Sequence, residues 1–168
     1  EALLVADLLR RAKVEVIIAS AMGRRALVSS HGIHLNADAL AEDVDYSDVD
    51  MVILPGGIPG TPNLAANKTV TDTCTAFAKA GKKIAAICAA PLVLGSIGIL
   101  EGKRATCYPG FEKRMTGATY TQEQVTIDGN IITGKGPGAS MDFGYAILGK
   151  FVAPEAVAEL KAQMMYKG

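Results

Sequence analysis

Cys88 is the residue whose type and setting most clearly suggest chemistry in this chain. It follows an apolar run, Ile84–Ile87, and precedes two alanines, Pro91 and the apolar start of a helix. A buried strand, a tight turn and a helix form a nucleophile elbow, which holds one side chain at the top of a sheet where small neighbours let a substrate approach. The N–H groups and positive dipole end of the helix favour the thiolate, which is the reactive form. The sequence therefore predicts a reactive cysteine with a depressed pKa.

The alternative interpretation of Cys88 is a core cysteine at the end of a strand, because free cysteine is among the most buried residue types. The local sequence alone does not separate the two interpretations. The other cysteines, Cys74 and Cys107, form no CxxC pair, and a count of three cysteines fits neither a disulfide scaffold nor a zinc site. Both are interpreted as packing residues, and no metal site is predicted.

Composition and charge argue against several classes of partner. The 17 basic residues balance the 17 acidic ones, and no long basic tract occurs, so nucleic acid and anionic membranes are not expected as partners. No apolar run approaches the roughly 18 residues that span a bilayer, and no secretory leader is recognised. Together with the unpaired cysteines, this predicts a cytoplasmic protein in a reducing environment.

Strand and helix signals alternate along the chain, which predicts an α/β fold with a mostly parallel sheet and helices on both faces. With 168 residues, of which 49% are hydrophobic, residues 1–168 are expected to form one domain with a full core. The expected strands are Val14–Ala19, Met51–Leu54 and Ile84–Ile87, with hairpins at 26–29/33–35 and 125–127/131–133. The expected helices cover residues 2–12, 70–80, 138–150 and 154–166, with a further helix after Cys88.

The beginning of the chain is unusual for this fold class. The first predicted element is a helix, whereas a βαβ protein normally begins with a strand that becomes central in the sheet. This pattern predicts that the first strand of the sheet is missing from these residues. The expected result is an open position between Val14–Ala19 and Met51–Leu54.

Three motifs, LPGGIPG (54–60), AAICAAP (85–91) and TGKGPGASMDF (133–143), resemble the ThiJ/PfpI superfamily in their order and spacing. The most similar branch is that of the Parkinson-disease-linked protein deglycase and its bacterial relatives. The resemblance extends along essentially the whole chain. It implies a flavodoxin-like three-layer sandwich that forms homodimers, and we expect the dimer to use the first helix and the hairpin His31–Asn36.

The resemblance also implies a set of site residues around Cys88. Glu1 aligns with a glutamate that reaches the cysteine, where its carboxyl group would donate a hydrogen bond or relay a proton. The alternative is an ordinary glutamate in the first turn of a helix, favoured by the helix dipole. The backbone N–H groups of Gly56, Gly57 and Ala89 are implied as donors to an oxyanion.

Two positions depart from the family pattern, and both concern a histidine. Ala89 stands where many family peptidases have a histidine after the cysteine, and Tyr108 stands where the Parkinson-linked branch often has one. Because tyrosine is a poor base near neutral pH, a protease is not expected. His31 and His34 are interpreted as surface or interface residues. Tyr108 and Lys135 are candidate substrate contacts, with a solvated lysine as the alternative for Lys135.

Two functions are compatible with these residues. The first is a stress-protective glyoxalase or deglycase without metal or organic cofactor. In this enzyme Cys88 attacks methylglyoxal or an early glycation adduct, and Glu1 moves the proton needed to form a hydroxy acid. The second is a redox-sensing, non-catalytic, chaperone-like stress protein in which Cys88 is oxidised to the sulfinate.

Overall fold

Helices and strands alternate along residues 1–167, the part of the chain that the computed structural model describes. The helices are α1 (Ala2–Arg11), α2 (Gly60–Ala66), α3 (Lys68–Lys79), α4 (Pro91–Ser96), α5 (Ser140–Leu148) and α6 (Pro154–Gln163). The strands are β1 (Ala19–Ser20), β2 (Ala26–Val28), β3 (His34–Asn36), β4 (Ala39–Leu40), β5 (Met51–Leu54), β6 (Lys83–Ile87), β7 (Arg104–Ala105), β8 (Thr119–Tyr120), β9 (Val125–Asp128) and β10 (Ile131–Gly134). Among these helices, none is both long and apolar enough to cross a membrane.

The central sheet contains four strands in the order β5–β6–β10–β9. The first three run parallel, and β9 is antiparallel to β10, to which it is joined by the predicted hairpin turn. In the register of the sheet, Leu54 lies opposite Ala86, and Gly134 lies opposite Ile87. The carboxyl ends of β5, β6 and β10 therefore meet at one edge, where an open α/β sheet places its ligand site.

Helices cover both faces of this sheet and complete three layers. On β6, Ile84 and Ala86 join a core cluster with α3 and α4, whereas Ala85 and Ile87 join a second cluster with α1, α5 and α6. A strand buried on both faces is read in sequence as a continuous apolar run. Each fully buried isoleucine contributes about 1.5–3 kcal/mol of hydrophobic stabilisation. The α/β sandwich predicted from the sequence, of the flavodoxin-like type, is confirmed.

The strand predicted over Val14–Ala19 is wrong for most of its length. Only its last residue enters β1, which pairs with β4, and β5 lies at the edge of the central sheet. Arg10 donates a hydrogen bond to the carbonyl of Val16 at 2.9 Å, and Asp38 accepts one from the N–H of Ile18 at 2.8 Å. Side chains, rather than a neighbouring strand, therefore satisfy these two backbone groups, and most of the segment forms no ladder.

Helix α2 and the short strands β4, β7 and β8 are not predicted by the sequence. The segment PGGIPG (55–60) is read as a loop because glycine and proline interrupt regular structure. Helix α2 nevertheless begins at Gly60 and contains Pro62 in its first turn, where proline is tolerated. Strands of two residues are too short to show a hydrophobic period.

Candidate active site

Cys88 lies directly after β6, at the edge where the parallel strands end. Its φ angle is 64°, in the left-handed region that few non-glycine residues adopt. The Cys88 N–H donates to the carbonyl of Gly134 at 2.9 Å, and the Cys88 carbonyl accepts from the N–H of Tyr108 at 2.8 Å. Helix α4 begins three residues later, at Pro91. Strand, sharp turn and helix thus follow one another, and two backbone hydrogen bonds fix the turn.

The Gly56–Gly57 loop after β5 lies against the elbow. A Cβ atom on residue 56 would lie 2.6 Å from the Cβ of Cys88 and 2.8 Å from the carbonyl oxygen of Ile87, so the close approach requires glycine. Gly57 has a φ of 94°. The N–H groups of Ala89 and Gly57 are hydrogen-bond donors toward the Cys88 sulfur, and both act to lower the pKa of its thiol. These two backbone donors therefore converge on the sulfur.

Glu1 connects the first helix to this loop. The N–H of Gly56 donates to the Oε2 atom of Glu1 at 2.8 Å. The expected role of Gly56 as an oxyanion donor needs correction, because its N–H is already held by this carboxylate. Glu1 also raises the pKa of Cys88, through its negative charge and as a hydrogen-bond partner of the thiol. The carboxylate and the sulfur are therefore close enough to exchange a proton.

The pKa of the Cys88 thiol is raised, whereas the sequence argument predicts a depressed one. Burial of the half-buried side chain is the largest cause, and the charge of Glu1 is the next. The N–H groups of Ala89 and Gly57 act in the opposite direction but do not outweigh these effects. The direction of the shift is therefore opposite to the one expected from the helix N-terminus and the backbone donors alone.

Cys74 and Cys107 have the character of core residues. Their relative exposures are 1% and 0%, and burial is the main reason that the pKa of each thiol is raised to about 12. All three cysteines are free thiols. In residues 1–167, no group of three or more His, Cys, Asp or Glu side chains is arranged to hold a metal ion.

Limited peroxide is expected to modify Cys88 before Cys74 or Cys107, because only the Cys88 side chain is partly exposed. The expected product is the sulfinate, stabilised by the N–H groups of Ala89 and Gly57. Mass spectrometry of peptides after treatment with about two equivalents of peroxide per chain, the amount that converts one thiol to a sulfinate, measures the order of modification. A Cys88→Ala variant is the control and should take up far less oxygen. Earlier oxidation of either buried cysteine would contradict the prediction.

Tyr108 and Lys135 lie in one cleft beside Cys88. Tyr108 is 47% exposed, and its ring lies 3.1 Å from the position that a Cβ atom would take on Gly136. Lys135 is half-buried, and its Nζ atom donates to the carbonyl of Gln122 at 3.2 Å. The cleft is further lined by Pro109, Gln124, Pro137, Gly138 and Ala139. The lining of this cleft does not include Cys88, to which Tyr108 is joined only through a backbone hydrogen bond, so the roles of Tyr108 and Lys135 as substrate contacts stay predictions.

The turn between β2 and β3 also reaches the site, and sequence reasoning did not identify it. The Oγ atom of Ser30 lies 3.7 Å from the position of a Cβ atom on Gly57. Ser30 is an exposed residue and lies beside the glycine loop that contacts the elbow. The turn itself is predicted from the His31–Gly32 signal, but its position against the loop after β5 depends on tertiary packing, for which the sequence carries no local signal.

Comparison with known proteins agrees with the fold and the motifs. The model of the DJ-1/PfpI family matches residues 1–150. Protein DJ-1 homolog B of Arabidopsis thaliana is 37% identical over 169 residues, which cover 99% of this chain and 39% of that protein. The chain spans about two fifths of the length of the two Arabidopsis relatives that it matches.

A further relative and a solved structure bear on the site. A protein of Pyrococcus abyssi that is named a deglycase is 32% identical over 126 residues, covering 74% of this chain and 75% of that protein. The solved structure of oxidized Toxoplasma gondii DJ-1 has a TM-score of 0.95 and 31% identity, and the match covers 100% of this chain and 92% of that chain. The family resemblance drawn from the three motifs is confirmed.

Proposed function

The chain belongs to the DJ-1/PfpI family, and we propose that it is a stress-protective enzyme that uses Cys88 to convert methylglyoxal, or its early glycation adducts, to a hydroxy acid. The observation that carries this proposal is the convergence on one sulfur of a carboxylate, from Glu1, and two backbone N–H donors, from Gly57 and Ala89. The similarity to a protein named a deglycase supports the reaction class. The reaction needs no metal or organic cofactor, and the site lacks the histidine that a cysteine protease would need.

The first step is attack on the aldehyde carbon. The Cys88 sulfur forms a bond to this carbon while the thiol proton passes to the Glu1 carboxylate. The carbonyl oxygen becomes negatively charged, and the N–H groups of Gly57 and Ala89 stabilise it. Glu1 then returns the proton to this oxygen, which gives a neutral hemithioacetal and restores the carboxylate.

The second step moves hydrogen between two carbons of the substrate. The Glu1 carboxylate removes the proton from the carbon bound to sulfur, which gives an enediolate, and returns it to the neighbouring carbon. The hydroxyl proton of the hemithioacetal passes to the former ketone oxygen, so that the oxygen next to sulfur becomes the thioester carbonyl. The product is a thioester of lactate on Cys88. Water adds to the thioester, the carbon–sulfur bond breaks, and lactate leaves with the free thiol restored. The aldehyde carbon is oxidised and the ketone carbon reduced, so no external oxidant is needed.

A redox-sensing role is the second candidate function. The donors that would hold an oxyanion would equally hold a sulfinate on Cys88, and the solved Toxoplasma gondii relative is an oxidized form. Incubation with methylglyoxal separates the two functions. Repeated turnover to lactate supports the enzyme. Consumption of about two equivalents of peroxide per chain, the amount that converts one thiol to a sulfinate, without lactate, supports the sensor.

We propose that two copies form a homodimer through α1 and the β2–β3 hairpin, in the reducing environment of the cytoplasm. Leu3 on α1 and Val28 and Ile33 on the hairpin are large apolar side chains with exposures of 50%, 56% and 59%, and burial in a dimer would remove this apolar surface from water. Light scattering at micromolar concentration is expected to give twice the mass of one chain. A single-chain mass would contradict the proposed dimer.

A further inference from the structure

We infer that Thr133 is a positioning residue for Cys88, because its hydroxyl closes a ring of hydrogen bonds that holds the elbow in its left-handed conformation. Thr133 acts through the backbone of the cysteine and not on the reacting atoms. The inference rests on the proposed function only in giving the sulfur a chemical role, and the reactivity of the thiol is measured without turnover.

Two segments from different parts of the chain hold the peptide groups of Cys88. The Cys88 N–H donates to the carbonyl of Gly134, at the end of β10, at 2.9 Å. The Cys88 carbonyl accepts from the N–H of Tyr108, which follows β7, at 2.8 Å. Because the cysteine is bonded to both segments, its backbone conformation depends on the spacing between them.

The hydroxyl of Thr133 links these two segments. Its Oγ1 atom accepts a hydrogen bond from the N–H of Thr106 at 2.9 Å, and both threonines are fully buried. Thr133 directly precedes Gly134 in β10. Thr106 lies two residues before Tyr108, so the three hydrogen bonds form a closed ring around the elbow.

A hydroxyl at position 133 lies in an apolar part of the core. Thr133 is opposite Ala86 on β6 and follows Ile131, which lies on the same face of β10, and both of these neighbours belong to the cluster packed with α3 and α4. Valine has nearly the same shape and would fill this place without burying a polar atom. The hydroxyl is explained by the N–H of Thr106, which would otherwise be a buried donor without an acceptor.

The ring of hydrogen bonds acts on the sulfur through the next residue, Ala89. The Ala89 N–H is one of the two backbone donors toward the sulfur. A non-glycine residue in the left-handed region returns to a negative φ when the restraints on it are removed, because that conformation is lower in energy. Such a rotation at Cys88 turns the Ala89 N–H away from the sulfur, and the thiolate then loses a donor.

The test uses three variants of buried threonines. Thr133→Val removes the acceptor of the Thr106 N–H, whereas Thr133→Ser retains it. The matched control is Thr126→Val. Thr126 lies opposite Thr133 on β9 and is 1% exposed, but its hydroxyl is bonded to the side chains of Thr121 and Glu123.

The readout is the rate of alkylation of Cys88 by iodoacetamide, measured against pH. In Thr133→Val the rise in rate should move to higher pH, so that the rate at neutral pH is about tenfold lower, the effect of one charge-assisted hydrogen bond. Thr133→Ser should keep the profile of the unmodified protein. Thr126→Val should also keep it, although its thermal midpoint falls. An unchanged profile in Thr133→Val, or an equal shift in Thr126→Val, would overturn the inference.

A second measurement needs no variant. Hydrogen exchange of the unmodified protein should give the amide protons of Cys88, Thr106 and Tyr108 one common free energy of opening, because the three bonds of the ring break together. Faster, separate opening at Thr106 would overturn the inference. An alkylation rate that depends on Thr133, in a protein that forms no lactate, would leave the inference standing and refute the proposed enzyme.

Discussion

Replacing Cys88 with serine is expected to reduce kcat/KM for lactate formation from methylglyoxal at least about 1000-fold. The hydroxyl has nearly the same size as the thiol and would occupy the same place at the elbow. It is, however, a far weaker nucleophile, and the Glu1 carboxylate is too weak a base to activate it. The loss should therefore occur without unfolding, and circular dichroism and the thermal midpoint should change little.

Cys107→Ala is the matched control for this variant. Cys107 is close in sequence to Tyr108 on the cleft wall, but its own side chain is fully buried and serves packing. Loss of one buried thiol should lower thermal stability while lactate formation continues at a similar rate. If Cys88→Ser kept a tenth or more of the activity, the sulfur would not be the nucleophile and the proposed mechanism would be wrong.

Glu1→Gln is expected to change the reactivity of Cys88 and the rate of turnover in opposite directions. The amide has no negative charge and is a much weaker acceptor for the thiol proton, so two of the causes that raise the pKa of Cys88 are reduced. More thiolate is then present at neutral pH, and alkylation by iodoacetamide should become faster. Turnover should fall about 100-fold or more, because the amide cannot accept a proton from sulfur or from the substrate carbon.

The alkylation rate measured against pH gives the sign of this effect directly. In the unmodified protein, the rate should rise with pH around a pKa above the ordinary thiol value, and in Glu1→Gln the same rise should occur at lower pH. Glu112→Gln is the control, because Glu112 raises the pKa of Cys107 and is not among the causes at Cys88. Slower alkylation in Glu1→Gln, or full turnover in this variant, would contradict the role given to Glu1.

Elements with a strong local pattern could be predicted from the sequence, and the elements that depend on distant partners could not. The run Ile84–Ile87 and the Asp128–Gly129–Asn130 turn predict β6 and the β9–β10 hairpin with boundaries within a residue or two of those observed. The segment Val14–Ala19 has an equally good strand composition. A ladder of hydrogen bonds needs a neighbouring strand. In this segment the side chains of Arg10 and Asp38 instead bind two of the backbone groups.

The site shows the same division between local and tertiary information. The elbow at Cys88 and the glycine loop could be placed by motifs, because each requires particular residue types in sequence. The direction of the Cys88 pKa shift could not be predicted from motifs. Burial and the charge of Glu1 compete with two N–H donors, and the distances of these donors from the sulfur are defined only in the folded chain. The occupation of the Gly56 N–H by Glu1, and the approach of Ser30 to Gly57, are likewise contacts between segments that are far apart in the sequence.

The left-handed backbone at Cys88 sets thermal stability against the proposed reaction at a single residue. A non-glycine residue with a φ of 64° gives up on the order of 1 kcal/mol relative to glycine, which adopts this conformation freely. Optimisation of the chain for heat resistance alone would therefore favour glycine at position 88 and would remove the sulfur with it. Under the proposed function, a more stable form of this protein that keeps its activity would have to gain stability at other residues, because glycine at position 88 removes the thiol.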